Sequence, residues 1–153
     1  GEFYKLSKTA ESLIPYITNK KSILPVVLIA IRKENKFFLY KRKKRPFEGK
    51  LSLPGGRLLI KENIPEAAKR IMGEKFNIRI QFKSINSVSL EHVKQGKEKI
   101  HSFLLILTTA TSDDKIEYLD VDKNKKEIIS SDYELLKNYL NKEIKIHTLL
   151  TKN

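Results

Sequence analysis

The feature that most restricts the fold is a glycine-rich loop that leads into a strongly marked helix. Pro54, Gly55 and Gly56 interrupt any regular element, because proline lacks a backbone N–H and glycine weakens both helices and strands. Asn63 is a favourable N-cap, and Pro65 suits the first helical turn. The apolar positions that follow recur at helical spacing: Ala67, Ala68, Ile71, Met72 and Phe76. The sequence therefore predicts a loop to about residue 62 and a helix that ends near residue 77.

Shorter patterns on both sides of this segment predict an α+β fold. Apolar spacing predicts a short helix over residues 7–17, and residues 25–31 and 36–40 flank a polar turn and predict a β-hairpin. Ser131 and Glu134 have the capping-box spacing that begins a C-terminal helix. Further strands are predicted at residues 78–83, 86–90, 100–109, 115–119 and 127–130. This order of elements predicts a mixed β-sheet sandwich with helices on its faces.

Length and composition indicate one domain that buries a core. The chain has 153 residues, 40% of them apolar, and no cysteine, so disulfides, thiolate metal sites and cysteine nucleophiles are excluded. Its longest apolar stretch, residues 23–31, falls short of the roughly 20 residues that a membrane span needs, and a signal peptide fits poorly. The first three residues are typical of a cloning remnant. We therefore expect a soluble, cytoplasmic protein with a single domain over residues 4–153.

The net charge of +13 comes from 25 lysines and six arginines set against 18 acidic residues. Scattered lysine is typical of a solvated surface, whereas phosphate recognition favours the planar guanidinium of arginine. The consecutive cations of residues 41–45 differ from this background, because such a run attracts phosphates. Nucleic-acid binding would need interleaved aromatic residues, and Phe47 alone follows the run. The charge as a whole is therefore interpreted as solvated surface, with residues 41–45 as a candidate phosphate-binding run and RNA binding as the less favoured interpretation.

The segment from Leu53 to Ile78 resembles the Nudix box. That pattern is Gly-x5-Glu-x7-Arg-Glu-aliphatic-x-Glu-Glu-x-Gly-aliphatic, with Pro-Gly usually in front. The matching positions in this chain are Pro54, Gly55, Gly56, Glu62, Arg70, Met72, Glu74 and Ile78. The resemblance implies a Nudix fold, and a hydrolase of a nucleoside diphosphate derivative that is assisted by Mg²⁺ or Mn²⁺.

In that family, carboxylates on one face of the helix hold the metal ion against a diphosphate, and oxygen is the ligand that hard cations prefer. The resemblance assigns catalytic roles to Arg70 and Glu74 and makes Glu62 and Glu74 metal ligands. It also implies that Gly55 and Gly56 offer backbone carbonyls to the metal.

This chain departs from the pattern at two of the three acidic positions after the arginine, where it carries Ile71 and Lys75. The loss of oxygen ligands weakens a site for a hard cation. Lys75 is instead a candidate to supply positive charge directly to a substrate phosphate. A plainer interpretation stays open, because Glu66, Arg70 and Glu74 also have the i, i+4 spacing of a surface salt-bridge ladder.

A looser resemblance over most of residues 4–140 is to GDP-mannose mannosyl hydrolases and related nucleoside-diphosphate-sugar hydrolases. It implies a nucleotide-sugar substrate, a homodimer, and neutralisation of the diphosphate by Arg42 and Arg57, with Arg45 as a further candidate substrate contact. Asp122 is the candidate for the last metal ligand or the base of that branch. A second interpretation is a Nudix-fold protein with little catalysis that binds nucleotide or RNA as a regulator.

Overall fold

The computed structural model describes residues 22–97 and 99–153, so the helix predicted over residues 7–17 lies outside the described residues. Within those ranges, no helix combines the length and the apolar character that a membrane crossing requires. The strands are β1 (Leu24–Lys33), β2 (Lys36–Phe37), β3 (Tyr40–Lys41), β4 (Leu51–Ser52), β5 (Gly55–Arg57), β6 (Gln81–Gln95), β7 (Lys99–Thr111) and β8 (Leu119–Asp120). The helices are α1 (Ile64–Phe76) and α2 (Ser130–Asn138), with a 3-10 turn at Lys125–Glu127 before α2.

Strand β1 is at the centre of a mixed sheet with the strand order β6-β7-β1-β2-β8. It runs parallel to β7 and antiparallel to β2 and β5. Strands β6 and β7 form a long antiparallel pair, and β3 pairs with β4 in a separate small sheet. The mixed sheet with its two helices confirms the α+β prediction.

The two faces of β1 bury two separate apolar clusters, because successive side chains of a strand point to opposite faces. Val27, Ile29 and Ile31 pack in the cluster that contains the apolar face of α1. Leu28 and Ala30 pack in the cluster that contains Leu135 and Leu136 of α2. A helix therefore covers each face of the sheet, as the predicted sandwich requires.

The best-marked sequence signals are confirmed. Helix α1 begins after Asn63, whose side chain accepts a hydrogen bond from the backbone N–H of Glu66 at 2.9 Å. It ends at Asn77, which adopts the left-handed conformation that closes many helices, with φ of 53°. The predicted hairpin is present as β1 and β2, joined through a turn at residues 34–35.

Two strand predictions are wrong and two others are joined. Residues 86–90 and part of 78–83 are strand as expected, but they belong to one continuous strand, β6, whose pairing with β7 is irregular near Phe82 and Ile85. These irregularities break the alternation on which strand prediction depends. Of residues 115–119, Leu119 alone is in a strand, and residues 127–130 contain the end of the 3-10 turn and the start of α2. The strand predicted at residues 100–109 is confirmed as part of β7.

The predicted capping box at Ser131 is also wrong. Helix α2 begins two residues earlier, after Ile129, and has no side-chain cap at its N-terminus. Tertiary contacts hold this end instead, since the backbone N–H of Ile129 donates to the carbonyl oxygen of Leu51 at 3.0 Å. The residue after Ser131, Asp132, extends its side chain to β4 and forms a hydrogen bond there.

Asp132 joins α2 to the segment that leads into the glycine-rich loop. Its Oδ2 atom accepts hydrogen bonds from Ser52 Oγ at 3.1 Å and from the backbone N–H of Leu53 at 3.0 Å. The residue is 6% exposed. Burial raises the pKa of its carboxyl to about 6, although the two hydrogen bonds oppose this change.

We expect Asp132 to make the stability of the fold depend on pH. Because the pKa of Asp132 is higher in the folded protein than in the unfolded chain, the folded state binds the proton more tightly. Protonation of Asp132 therefore stabilises the fold most in acid, and this stabilisation is lost as the pH rises through about 6. Relative to Asp132→Asn, the free energy of unfolding of the wild type should fall by about 2 kcal/mol between about pH 4 and pH 7. Urea unfolding at several pH values measures this difference. Parallel pH profiles for the two proteins would contradict the expectation.

Candidate active site

The glycine-rich loop lies directly against the central strand. The backbone N–H of Ile29 donates to the carbonyl oxygen of Pro54 at 2.9 Å, and β5 continues the pairing with β1. A Cβ atom on Gly55 would lie 2.7 Å from Leu28 Cδ2 and 3.0 Å from the carbonyl oxygen of Val27. The first distance is shorter than real Cβ contacts and the second is at their lower limit, so this close approach favours glycine.

Arg70 and Glu62 close the loop onto α1 through a two-point ion pair. Arg70 Nε donates to Glu62 Oε2 at 2.5 Å, and Arg70 Nη2 donates to Glu62 Oε1 at 3.1 Å. Arg70 Nη2 also donates to the carbonyl oxygen of Arg57 at 2.8 Å, and the N–H of Leu59 donates to Glu62 Oε1 at 2.9 Å. The hydrogen bond from Arg70 lowers the pKa of Glu62, and the same contact raises the pKa of Arg70. Arg70 is thus a positioning residue for the loop.

The salt-bridge ladder considered from the sequence is formed in part. Arg70 Nη1 lies 3.4 Å from Glu74 Oε2 in an i, i+4 pair, and the side chain of Glu74 is 67% exposed. The backbone N–H of Glu66 is bound by the N-cap of the helix. The shorter hydrogen bonds of Arg70 are therefore those with Glu62 and the Arg57 carbonyl in the loop, and Glu74 faces solvent.

Lys75 crosses from the last turn of α1 to the glycine-rich loop. Its ammonium donates to the carbonyl oxygen of Gly55 at 2.6 Å. A Cβ atom on Gly56 would lie 3.3 Å from Lys75 Nζ, which shows how closely the ammonium approaches the loop. Desolvation lowers the pKa of Lys75, and the nearby charges of Arg70, Arg42 and Lys44 lower it further. The ammonium therefore lies on the loop and within the electrostatic influence of three other cations.

The donor set at this position does not fit a magnesium ion. Mg²⁺ needs oxygen ligands in a nearly octahedral arrangement. Ile71 is fully buried, the carbonyl oxygen of Gly55 accepts from an ammonium, and both oxygens of Glu62 accept from Arg70. Among residues 22–97 and 99–153, no three His, Asp or Glu side chains are grouped closely enough to hold a metal ion. The metal roles expected for Gly55, Gly56, Glu62 and Glu74 stay predictions.

Arg42 belongs to the same cationic region and is held in place by its own loop. Its Nε atom donates to the carbonyl oxygen of Pro46 at 2.8 Å, and its Nη1 atom lies 3.4 Å from the hydroxyl of Tyr40. The Tyr40 ring packs edge-on against Phe76 of α1, with the ring centroids 5.0 Å apart. This contact places the start of the basic run beside the end of α1. Arg45 and Arg57 are exposed, and their substrate-binding roles stay predictions.

Asp122 is attached to the other helix. Its carboxylate accepts hydrogen bonds from Lys137 Nζ at 3.0 Å and from the hydroxyl of Tyr133 at 2.8 Å. The contact with Lys137, followed by that with Tyr133, lowers the pKa of Asp122. Helix α2 covers the opposite face of the sheet from α1. The structure therefore brings Arg42, Arg70 and Lys75 together and ties Asp122 to α2, and its predicted role as ligand or base remains untested.

Three aromatic residues contribute to the site through contacts that were missed from the sequence. Tyr40 and Phe76 form the aromatic contact that joins the basic run to α1, and Phe38 packs edge-on against the same Phe76 ring at 5.5 Å. Phe38 and Tyr40 are separated by one residue, which is the spacing of one strand face. The alternation predicts that Phe38 and Tyr40 share a face, but it does not predict that both rings contact Phe76, which is distant in the sequence.

Comparisons with known proteins agree with this architecture. Residues 22–137 match the NUDIX domain model. An ADP-ribose pyrophosphatase of Methanocaldococcus jannaschii is 30% identical over 116 residues, which cover 72% of this chain and 69% of that protein.

Two solved structures show the same fold. A MutT NUDIX hydrolase of Burkholderia pseudomallei has a TM-score of 0.62 and 16% identity, over 76% of this chain and 98% of that one. The NUDIX domain of Shewanella oneidensis NrtR, crystallised with ADP ribose, has a TM-score of 0.60 and 17% identity, over 84% of this chain and 94% of that one. The Nudix fold expected from the glycine-rich loop and its helix is confirmed. The chain therefore belongs to the Nudix hydrolase family, a family of enzymes that act on nucleoside diphosphate derivatives.

Proposed function

We propose that this protein hydrolyses a nucleoside diphosphate linked to a sugar, and that ADP-ribose is the first substrate to consider. The relative from M. jannaschii is named for ADP-ribose, and the NrtR domain was crystallised with it. The sequence alone pointed to GDP-mannose, through a looser resemblance. The relative at 30% identity outweighs that resemblance, so ADP-ribose takes precedence over GDP-mannose.

The observation that carries this proposal is the group of cations around the glycine-rich loop. Lys75 lies on the Gly55 carbonyl, and the charges of Arg70, Arg42 and Lys44 act on it from α1 and from the basic run. Positive groups that converge from separate elements suit the diphosphate of such a substrate. Arginine adds a planar fork that matches phosphate oxygens.

The nucleoside part is assigned to a groove on the α2 side of the sheet, which the loop after the basic run reaches through Phe47. It is formed between β6 and α2, and its lining includes Phe47, Glu91, Leu105, Glu134 and Tyr139. Phe47 is 40% exposed and has φ of 64°, a conformation that bulky residues rarely adopt. It follows the basic run that carries Arg42, so one loop connects the cations to an aromatic side chain on which a base can stack.

A second candidate function follows from Ile71 and Lys75. These residues replace two of the carboxylates of the family pattern, and Nudix enzymes generally use a divalent metal. The replacement favours a protein that binds the nucleotide with little turnover. Turnover in the assay below supports the hydrolase, and tight binding without products supports the alternative.

A panel of ADP-ribose, GDP-mannose and a dinucleoside polyphosphate tests the proposed activity. Each compound is incubated with Mg²⁺, with Mn²⁺ or with EDTA, and the products are separated by chromatography. We expect ADP-ribose to give AMP and ribose 5-phosphate, because water adds across the diphosphate bond. Release of GDP and free mannose from GDP-mannose would instead show attack at the sugar carbon. Absence of products from every compound would contradict a hydrolase of this class.

We expect Arg70→Ala to lower kcat/KM for the hydrolysed substrate by about 10- to 100-fold. The variant removes the hydrogen bonds to Glu62 and to the Arg57 carbonyl, so the loop loses its closure on α1 and leaves the charged Glu62 without its partner. Steady-state kinetics measure the change. Lys69→Ala is the matched control, because Lys69 is an exposed cation on the same helix. An equal loss in both variants would show that Arg70 has no specific role.

A further inference from the structure

We propose that the Lys75 ammonium is a built-in cation that binds the diphosphate of the substrate in the place where the family pattern puts a metal ligand. This inference rests on the proposed function for the identity of the ligand. It goes further in assigning the phosphate contact to one side chain and in making that contact independent of a divalent metal.

The position of the ammonium supports this role. Lys75 stands where the family pattern has the last carboxylate of its acidic pair, and its Nζ atom lies 2.6 Å from the Gly55 carbonyl oxygen. A lysine ammonium has three N–H donors. One of them is bound by Gly55, so two are left for phosphate oxygens. The contact with Gly55 also limits the motion of a long side chain and so lowers the entropy cost of binding.

The carboxylates nearby leave the positive charge largely uncompensated. Glu62 is bound through both of its oxygens by Arg70, and the side chain of Glu74 is 67% exposed. Arg70, Arg42 and Lys44 lower the pKa of Lys75 through their charges, and of the nearby carboxylates Glu74 opposes them with a smaller effect. A divalent cation on the Gly55 carbonyl would have to displace the ammonium and meet these like charges. A diphosphate meets opposite charges there, so the same arrangement that disfavours a metal ion favours the anion.

Helix stability is the competing explanation for Lys75. The residue lies in the last turn of α1, where a positive charge interacts favourably with the helix dipole. A purely structural role predicts that removal of the charge changes the melting temperature and leaves anion binding as it was. The two roles therefore differ in a binding measurement.

Isothermal titration calorimetry with inorganic pyrophosphate tests the proposal, first in EDTA and then in Mg²⁺. We expect the wild type to bind pyrophosphate in EDTA and to gain no affinity from Mg²⁺. Lys75→Met should weaken binding in EDTA by about tenfold or more, which is the scale of one charge-assisted hydrogen bond. Lys75→Glu, which restores the family carboxylate, should bind in Mg²⁺ more tightly than in EDTA. Lys69→Met is the control and should bind as the wild type does, since Lys69 is an exposed cation of the same helix.

The proposal is overturned if the wild type needs Mg²⁺ to bind pyrophosphate, if it binds under neither condition, or if Lys75→Met binds within about twofold of the wild type. Thermal unfolding of each variant confirms that it is folded.

Failure of this inference is distinguishable from failure of the proposed function. Hydrolysis of ADP-ribose that needs Mg²⁺ and tolerates Lys75→Met would support the function and reject the inference. Metal-free binding of pyrophosphate through Lys75, without hydrolysis of any nucleotide, would support the inference and reject the proposed function.

Discussion

The pairing of β5 with β1 is the contact on which the candidate site depends. It brings the glycine-rich loop onto the central strand, and it is possible because Gly55 has no side chain to meet Leu28 and the Val27 carbonyl. The loop then has a fixed place relative to α1, which packs on the same sheet. Arg70 secures this arrangement by binding Glu62 and the carbonyl of Arg57. Two contacts therefore fix the geometry of the loop: backbone pairing of β5 with β1, and the ion pair between Arg70 and Glu62.

The electrostatics of the site differ from those of a typical Nudix box, which gathers carboxylates to hold a metal ion. Here the sheet, the helix and the basic run bring cations together, with Lys75 in contact with the loop and Arg42 held by Pro46 and Tyr40. Such a site attracts a diphosphate directly, because its side chains are positively charged and a diphosphate is negatively charged. The cluster also accounts for part of the excess positive charge of the chain, while many of the remaining lysines are exposed.

Local signals explain which elements could be predicted. Asn63, Pro65 and Asn77 delimit α1 because caps act on the neighbouring backbone N–H and carbonyl groups. The start of α2 was misplaced because contacts with the distant Leu51 and Ser52 hold it. Strand β6 was divided in two because irregular pairing with β7 interrupts its pattern. Errors therefore occur where partners remote in sequence replace local chemistry.

The sequence by itself determined the family pattern of this protein: a glycine-rich loop, a capped helix with Arg70 at the right spacing, and the replacement of two carboxylates by Ile71 and Lys75. It could not determine what Lys75 contacts, because Gly55 is 20 residues away along the chain. The tertiary structure decided that Arg70 binds the loop through Glu62, that Lys75 lies on the Gly55 carbonyl, and that Asp122 binds α2. The physical reason is that ion pairs and hydrogen bonds act over a few ångströms in space, and the folding of the sheet sets those distances.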